Sequence, residues 1–233
     1  MPMPRHDYYA GTPMGQRVKS VLDLCCGTGQ LALDFLEQGY RVVGLDLSEA
    51  MLRHARGHAR DYLETGQAAF VTGDAARFSL ERPVGLVTST FDALNHLESF
   101  EALTQCFACV HLALVPEGVF VFDLNTRRGL FERWNQIHVD DTEEGMVVLR
   151  GAYDGIGDRA VFRFSGFVRD DDGRYQRFEE TVFNTVFDLA AVRQALLDTG
   201  MAPVHFARID DLAAPVEDPE REGRVFVVSR KLG

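Results

Sequence analysis

The sequence predicts an α/β fold: a doubly wound, mostly parallel seven-stranded sheet with an antiparallel β insertion after its fifth strand. Three observations lead there. Over the first two thirds of the 233 residues, short apolar runs alternate with helix-patterned segments, the order that builds a parallel sheet from crossover units. The run "VFVFDLN", Val119 to Asn125, is apolar until its end, as a strand covered on both faces should be. From Thr126 to about Phe187 the helical rhythm nearly stops, and strand-like segments follow one another between turn signals.

Taken in order, Val21–Leu24 reads as the first strand and Gln30–Gln38 as a helix that stops at Gly39. "RVVGLDLS" is the second strand, and its Ser48 is a good N-cap for the helix "EAMLRHARGHARDYLE". "AAFVTGD" and "VGLVTST" are the third and fourth strands, followed by a long helix over "ESFEALTQCFACVHLALVPEG" and the fifth strand. The insertion offers three strands, "GMVVLRGAY", "RAVFRFSGFVR" and "YQRFEETVFNTVF", separated by "DGIGD" and "DDDG". "DLAAVRQALLDTG" returns to a helix, and "APVHFARI" and "RVFVVSRK" are last strands joined by an acidic, proline-bearing loop. The expected organisation is a core of residues 1–125 and 188–233, with 126–187 as an antiparallel insertion placed to fold over the rim as a lid.

Acids outnumber Lys plus Arg by 35 to 24, for a formal net charge of −11, which argues against a nucleic-acid partner. The start of the chain lacks the apolar core of a secretion signal and no apolar run reaches the length of a membrane span, so the cytoplasm is the expected compartment. Cys25 and Cys26 sit in a turn that wants small residues, and Cys106 and Cys109 fit the apolar side of a helix, so no metal site is expected. Monomer and homodimer both stay open.

In open α/β sheets ligands bind beyond the carboxyl ends of the strands. That rule puts Asp23, Asp46, Asp74, the segment Thr88–His96 and Asn125 on one rim. "GTGQLA" after the first strand fits the dinucleotide pattern G-x-G-x-x-A, with Asp46 near the distance of a ribose-binding acid. Asp23 counts against a pyrophosphate, which needs backbone amides and a positive helix end and would be opposed by a carboxylate at the threshold. A cationic ligand suits that acid. Asp46 can accept from two vicinal hydroxyls. Asp74 can accept from an amino group on a flat ring, with Leu47, Met51, Ala75 and Phe78 available to flank it. Each acid alone has an ordinary reading as a turn or cap residue; three at successive strand ends are harder to explain that way.

These segments ("VLDLCCGTGQLALDFLEQGYRVVGLDLSEAMLRHAR", "GDAARF", "TSTFDALNHL" and "LVPEGVFVFDLN") resemble the class I S-adenosylmethionine-dependent methyltransferases, of small-molecule type, with their Rossmann-like sheet. The resemblance runs from about Val21 to Asn125 and resumes from Asp188. It implies S-adenosylmethionine as cofactor and S-adenosylhomocysteine as product. Asp23, Gly27 and Gly29 would then line the methionine end, Asp46 would hold the ribose, and Asp74 with Ala75 would meet the adenine, with Cys25, Leu47 and Met51 as further cofactor-binding residues. Thr88, Thr90 and the residues up to His96 would border the transferred methyl and the acceptor. The chain departs from the family in having Cys25 where the loop's first glycine is usual, Gly85 where many relatives carry an acid, and "PEG" for "PGG".

Methyl transfer from a sulfonium mainly needs positioning, so no single catalytic residue is required. His96 is the first candidate base, and Asn95 would orient the acceptor; each also reads as a residue of the following helix. His54, His58 and His111 fall within expected helices away from the rim. The acceptor side is assigned to Asn125, Arg127, Trp134, Tyr153, Arg163 and Phe164, with Tyr8 and Tyr9 as local residues able to close the site. The expected reaction is methyl transfer to nitrogen or oxygen of a small molecule; an NAD(P)-dependent oxidoreductase and a non-catalytic S-adenosylmethionine-binding protein are the alternatives.

Overall fold

The computed structural model describes residues 19–233. Its main sheet has five parallel strands, β1 (Ser20–Leu24), β2 (Arg41–Asp46), β3 (Ala68–Thr72), β4 (Val84–Ser89) and β5 (Leu114–Asn125). Antiparallel strands β10 (Met201–Arg208), β11 (Asp211–Pro215) and β12 (Arg224–Lys231) complete the order β11-β10-β12-β5-β4-β1-β2-β3. The sheet thus has eight strands rather than seven. The extra one, β11, lies in the stretch expected to be a loop; two register pairs with a shift between them hold it, and only Leu212 is buried. Flanking acids and a terminal proline hide so short an edge strand.

Helices cover both faces. On one side α1 (Gln30–Glu37) and α2 (Glu49–His58) enclose Phe35, Leu36, Leu52 and Ala55. The Ser48 hydroxyl accepts from Met51 N, the cap expected for α2. A short helix, α3 (Arg60–Glu64), follows. On the other side α4 (Phe100–Ala113) buries Leu103, Cys106, Phe107 and Val110 against β5. Phe107 meets Phe120 and Phe122, whose own rings stack at 4.6 Å; burying each such ring is worth roughly 1.5–3 kcal/mol. α4 ends earlier than expected, and β5 begins at Leu114 and bends through Glu117, which has φ 65°.

After β5 comes α5 (Arg127–Trp134), a helix where the apolar rhythm predicted none. Thr126 caps it by accepting from Gly129 N, and only Gly129 and Leu130 are buried, too few apolar positions to mark a helical face. A second, antiparallel sheet follows: β6 (Ile137–Asp141), β7 (Gly145–Ala152), β8 (Arg159–Arg169) and β9 (Tyr175–Thr185) in chain order. The first strand was not expected, because all five of its residues are exposed and neither face of so short a segment is buried. Helix α6 (Leu189–Asp198), capped by Asp188, leads back to the main sheet. Among the described residues no helix is long and apolar enough to cross a membrane.

Candidate active site

The carboxyl ends of β1, β2 and β4, with the turn after β3, surround a cleft of about 1020 Å³. The turn after β1 forms its floor, and its backbone is left-handed at Cys25 (φ 60°), Gly27 (φ 55°) and Gly29 (φ 77°). Cys25 holds a left-handed conformation that glycine would adopt without steric cost. Gly29 does not line the cleft. Its space is closed from behind, where an added Cβ would lie 2.9 Å from the Ala55 Cβ. Gly29→Ala adds that clash to left-handed strain of roughly 1–2 kcal/mol and is expected to lower the melting temperature by about 5 °C or more in a calorimetric scan.

Asp46 fastens the turn. Its two carboxylate oxygens accept from Gly27 N and Ser48 N, each at 2.8 Å. Each oxygen still has a lone pair for a ligand hydroxyl. Leu47 and Met51 stand exposed beside it, and Asp74 and Ala75 close the far end of the cleft. Asp74 accepts from Ala76 N at 2.8 Å through Oδ1.

Asp23 is 2% exposed, and its Oδ2 has no hydrogen-bond partner among the described residues. The Thr88 hydroxyl approaches the other oxygen at 3.4 Å. Burial pushes its carboxyl from 3.8 up to about 7; Thr88 pulls the other way and the charge on Asp46 adds to the rise. An orphaned carboxylate oxygen at the cleft floor fits a cationic ligand group, which would replace lost solvation. The sign of the pH effect follows. Below pH 7 the acid is protonated and attracts no cation, so affinity for a sulfonium ligand should rise about tenfold from pH 6 to pH 8. Asp23→Asn should flatten this dependence, as titration calorimetry at the two pH values would show. In the ligand-free protein the raised value works against the fold: stability falls as pH climbs from 3.8 to about 7.

Cys25 and Cys26 also border the cleft, and burial raises both thiols, Cys25 to about 12. They are neutral thiols there, not thiolate nucleophiles. Among the described residues no group of three or more His, Cys, Asp or Glu is placed to hold a metal ion.

The wall formed after β4 is strained. Phe91 (φ 64°) and Asp92 (φ 50°) are consecutive left-handed residues, and neither is glycine. Arg224 of β12 holds this turn by donating to Asp92 Oδ1 while pairing with Asp123 at 3.1 Å; Asp92 N donates to Asp123 Oδ2 at 3.0 Å. Asp123 is fully buried, and burial raises its carboxyl to about 6 against the pull of Arg224. Phe91 is thereby displayed on the cleft with 61% of its surface exposed. His96 lies in the same wall, its Nδ1 3.0 Å from the Phe183 carbonyl and its Nε2 4.0 Å from Asp92 Oδ2. A carbonyl only accepts, so Nδ1 carries the proton and Nε2 of the neutral ring keeps its lone pair.

Asp23, Cys25, Gly27, Asp46, Leu47, Met51, Asp74, Ala75, Thr90 and His96 therefore meet in one cleft, as their positions at strand ends predict. The others do not reach it. Thr88 is buried beneath Asp23. Asn95 is fully buried and donates to the Asn125 and Thr185 carbonyls, so its amide joins the rim to the insertion and is not offered to an acceptor. Asn125 donates to Asn184 Oδ1. Arg127 is consumed by the Tyr153 hydroxyl and the carbonyls of Ile156 and Gly157, which also accounts for Tyr153. Trp134 packs edge-on to Phe162, Phe164 leans on the same ring, and Arg163 pairs with Glu179. Each is satisfied within the insertion and none lines the cleft. Tyr8 and Tyr9 lie outside the described residues. Phe91 was not singled out, and His58, expected within a helix away from the rim, instead reaches the cleft from the last turn of α2, with Nδ1 3.1 Å from the Thr28 carbonyl.

A parallel sheet with a carboxylate-ringed crevice over its first glycine turn, extended by an antiparallel pair, defines the Rossmann-like methyltransferase class. Residues 21–118 match the family described as methyltransferase domain. A Geobacillus sp. (strain WCH70) protein named only as a methyltransferase is 27% identical over 217 residues, 93% of this chain and 86% of its own. The dTDP-3-amino-3,4,6-trideoxy-alpha-D-glucopyranose N,N-dimethyltransferase of Streptomyces venezuelae is 36% identical over 104 residues, 45% of this chain and 41% of its own. A solved S-adenosylmethionine-dependent methyltransferase from Clostridium acetobutylicum ATCC 824 shares the fold with a TM-score of 0.76 at 23% identity, over 92% of this chain and 84% of that one. Over residues 21–118 the chain matches a methyltransferase domain, and its fold is similar to that of the class I S-adenosylmethionine-dependent methyltransferases.

Proposed function

We propose that the enzyme methylates a nitrogen or oxygen nucleophile of a small molecule, with His96 as the base and the four-stranded insertion as the acceptor-side lid. The observation that carries this reading is the fixed orientation of His96, whose Nδ1 is committed to the Phe183 carbonyl of β9 while the ring borders the cleft. When bound, S-adenosylmethionine supplies a methyl group already activated on sulfur. The chain's own residues then bind, orient and take up a proton. Asp46 would hold the ribose hydroxyls, Asp74 the adenine amino group between Leu47, Met51 and Ala75, and Asp23 the positive end of the methionine moiety.

Alignment of this kind contributes roughly 7–11 kcal/mol in favourable cases. His96 Nε2 accepts the proton that a hydroxyl or ammonium acceptor must lose, and the Asp92 carboxylate at 4.0 Å steadies the imidazolium that results. The insertion is tied to this wall at several points: His96 to Phe183, Asn95 and Leu97 to Thr185, and Glu98 to Arg159. These ties support its placement at the acceptor side. The Streptomyces venezuelae relative, named for an amino-sugar substrate, supports a small acceptor.

The test is a compound screen with S-adenosylmethionine, reading S-adenosylhomocysteine by mass spectrometry. Turnover with small amines or hydroxylated compounds is expected. Release only with nucleic-acid or protein fractions would overturn the proposal.

A further inference from the structure

Arg224 stands at the start of β12, in register with Asn125 at the carboxyl end of β5, and all three nitrogens of its guanidinium are committed. Nη2 donates to Asp92 Oδ1, Nη1 lies 3.1 Å from Asp123 Oδ2, and Nε donates to Asn125 Oδ1 at 3.3 Å. Asp123 Oδ2 also accepts from Asp92 N, so both the side chain and the backbone of residue 92 are held. Asn125 in turn is locked to Asn95: its N donates to Asn95 Oδ1 at 2.9 Å, and Asn95 Nδ2 donates to its carbonyl at 3.3 Å.

One side chain thus reaches both ends of the one-turn helix Ala93–His96, through Asp92 before it and Asn95 within it. Phe91 and His96 flank that turn and border the cleft, which Arg224 itself does not line. Left-handed backbone at consecutive non-glycine residues persists only where the surroundings over-determine it, and such strain gathers at functional sites. Packing of the Phe91 ring does not offset the strain, because that ring stays mostly exposed.

We infer that Arg224 is a positioning residue for methyl transfer: acting through Asp92 and Asn125, it fixes the wall after β4 so that His96 keeps one orientation and Phe91 stays over the cleft. The inference rests on the reading of His96 as the base. Its geometric content, that the His96 ring is oriented by a guanidinium on β12, is measurable without any acceptor.

The variant to use is Arg224→Met combined with Asp123→Asn. The single change would leave the buried Asp123 without its cation, a penalty that the second change removes. An amide oxygen at 123 can still accept from Asp92 N, whereas Asp92 Oδ1 stays unheld. Imidazole nitrogen NMR of the ligand-free, histidine-labelled protein at pH 8 reports the tautomer, with His96 assigned by its absence in His96→Asn. Wild type should show the proton on Nδ1, committed to the Phe183 carbonyl. In the double variant the two nitrogens should average towards each other, while circular dichroism is unchanged and S-adenosylmethionine affinity stays within about twofold. Turnover on the small amines and hydroxylated compounds of the activity screen should fall about 10- to 100-fold. A double variant that keeps the wild-type His96 tautomer would overturn the inference. So would one that loses its fold or its S-adenosylmethionine affinity, since Arg224 would then be structural. Absence of wild-type turnover on those compounds would count against the proposed acceptor class alone, because the tautomer is read without them.

Discussion

Asp46→Ala should weaken S-adenosylmethionine binding at least about 100-fold in titration calorimetry, because charge-assisted hydrogen bonds are worth roughly 1.5–3 kcal/mol each and two ribose hydroxyls would lose theirs. The substitution acts twice. It removes the acceptor proposed for the ribose, and it releases Gly27 N and Ser48 N, which the carboxylate holds at 2.8 Å. The glycine turn would lose its tie to β2. Asp46→Asn separates the two effects: an amide oxygen can still serve one backbone N–H, but its NH₂ group faces the other donor. Affinity should therefore fall for both variants, with the alanine variant also melting at a lower temperature. A loss of less than threefold in a folded Asp46→Ala protein would remove this residue from the cofactor site.

His96→Asn is expected to lower turnover by about 100-fold or more at neutral pH while leaving S-adenosylmethionine affinity within about twofold, since a positioned base contributes roughly 10²–10⁴. Asparagine can still donate to the Phe183 carbonyl, so the bond from the β4 wall to the insertion is preserved while the proton acceptor is lost. Raising the pH should recover part of the rate, because an acceptor that ionises in solution no longer needs the enzyme's base. Rates that fall together with cofactor affinity would mean that His96 shapes the cleft and takes no proton.

How far these residues can be read from sequence follows from how each is placed. Val21–Leu24 and Val119–Asn125 are continuous apolar runs between turn signals, and each strand's carboxyl end fixes where its terminal acid goes. Asp23, Asp46 and Asp74 were thus legible as one rim. β6, β11 and α5 were not, because their side chains are mostly exposed and burial is what writes a period into a sequence.

The wall after β4 was only half legible. "STFDALNHL" places His96 on the rim, but nothing in that segment announces left-handed backbone at Phe91 and Asp92. That conformation is held by Arg224, 132 residues from Asp92 along the chain, and such a contact leaves no local pattern. The insertion shows the converse. Arg127, Trp134, Tyr153, Arg163 and Phe164 are residue types that suit a pocket, and the second sheet uses all of them to hold itself together.

The proposed preference for a cationic ligand rests on Asp23 at the cleft floor, one of whose oxygens has no hydrogen-bond partner among the described residues, beside a second acid that fastens the glycine turn. Parallel calorimetric titrations of the ligand-free protein at pH 8 with S-adenosylmethionine, S-adenosylhomocysteine and NAD test this most directly. The first two should bind and NAD should give no measurable heat. Binding of NAD with neither sulfur compound bound would contradict the account.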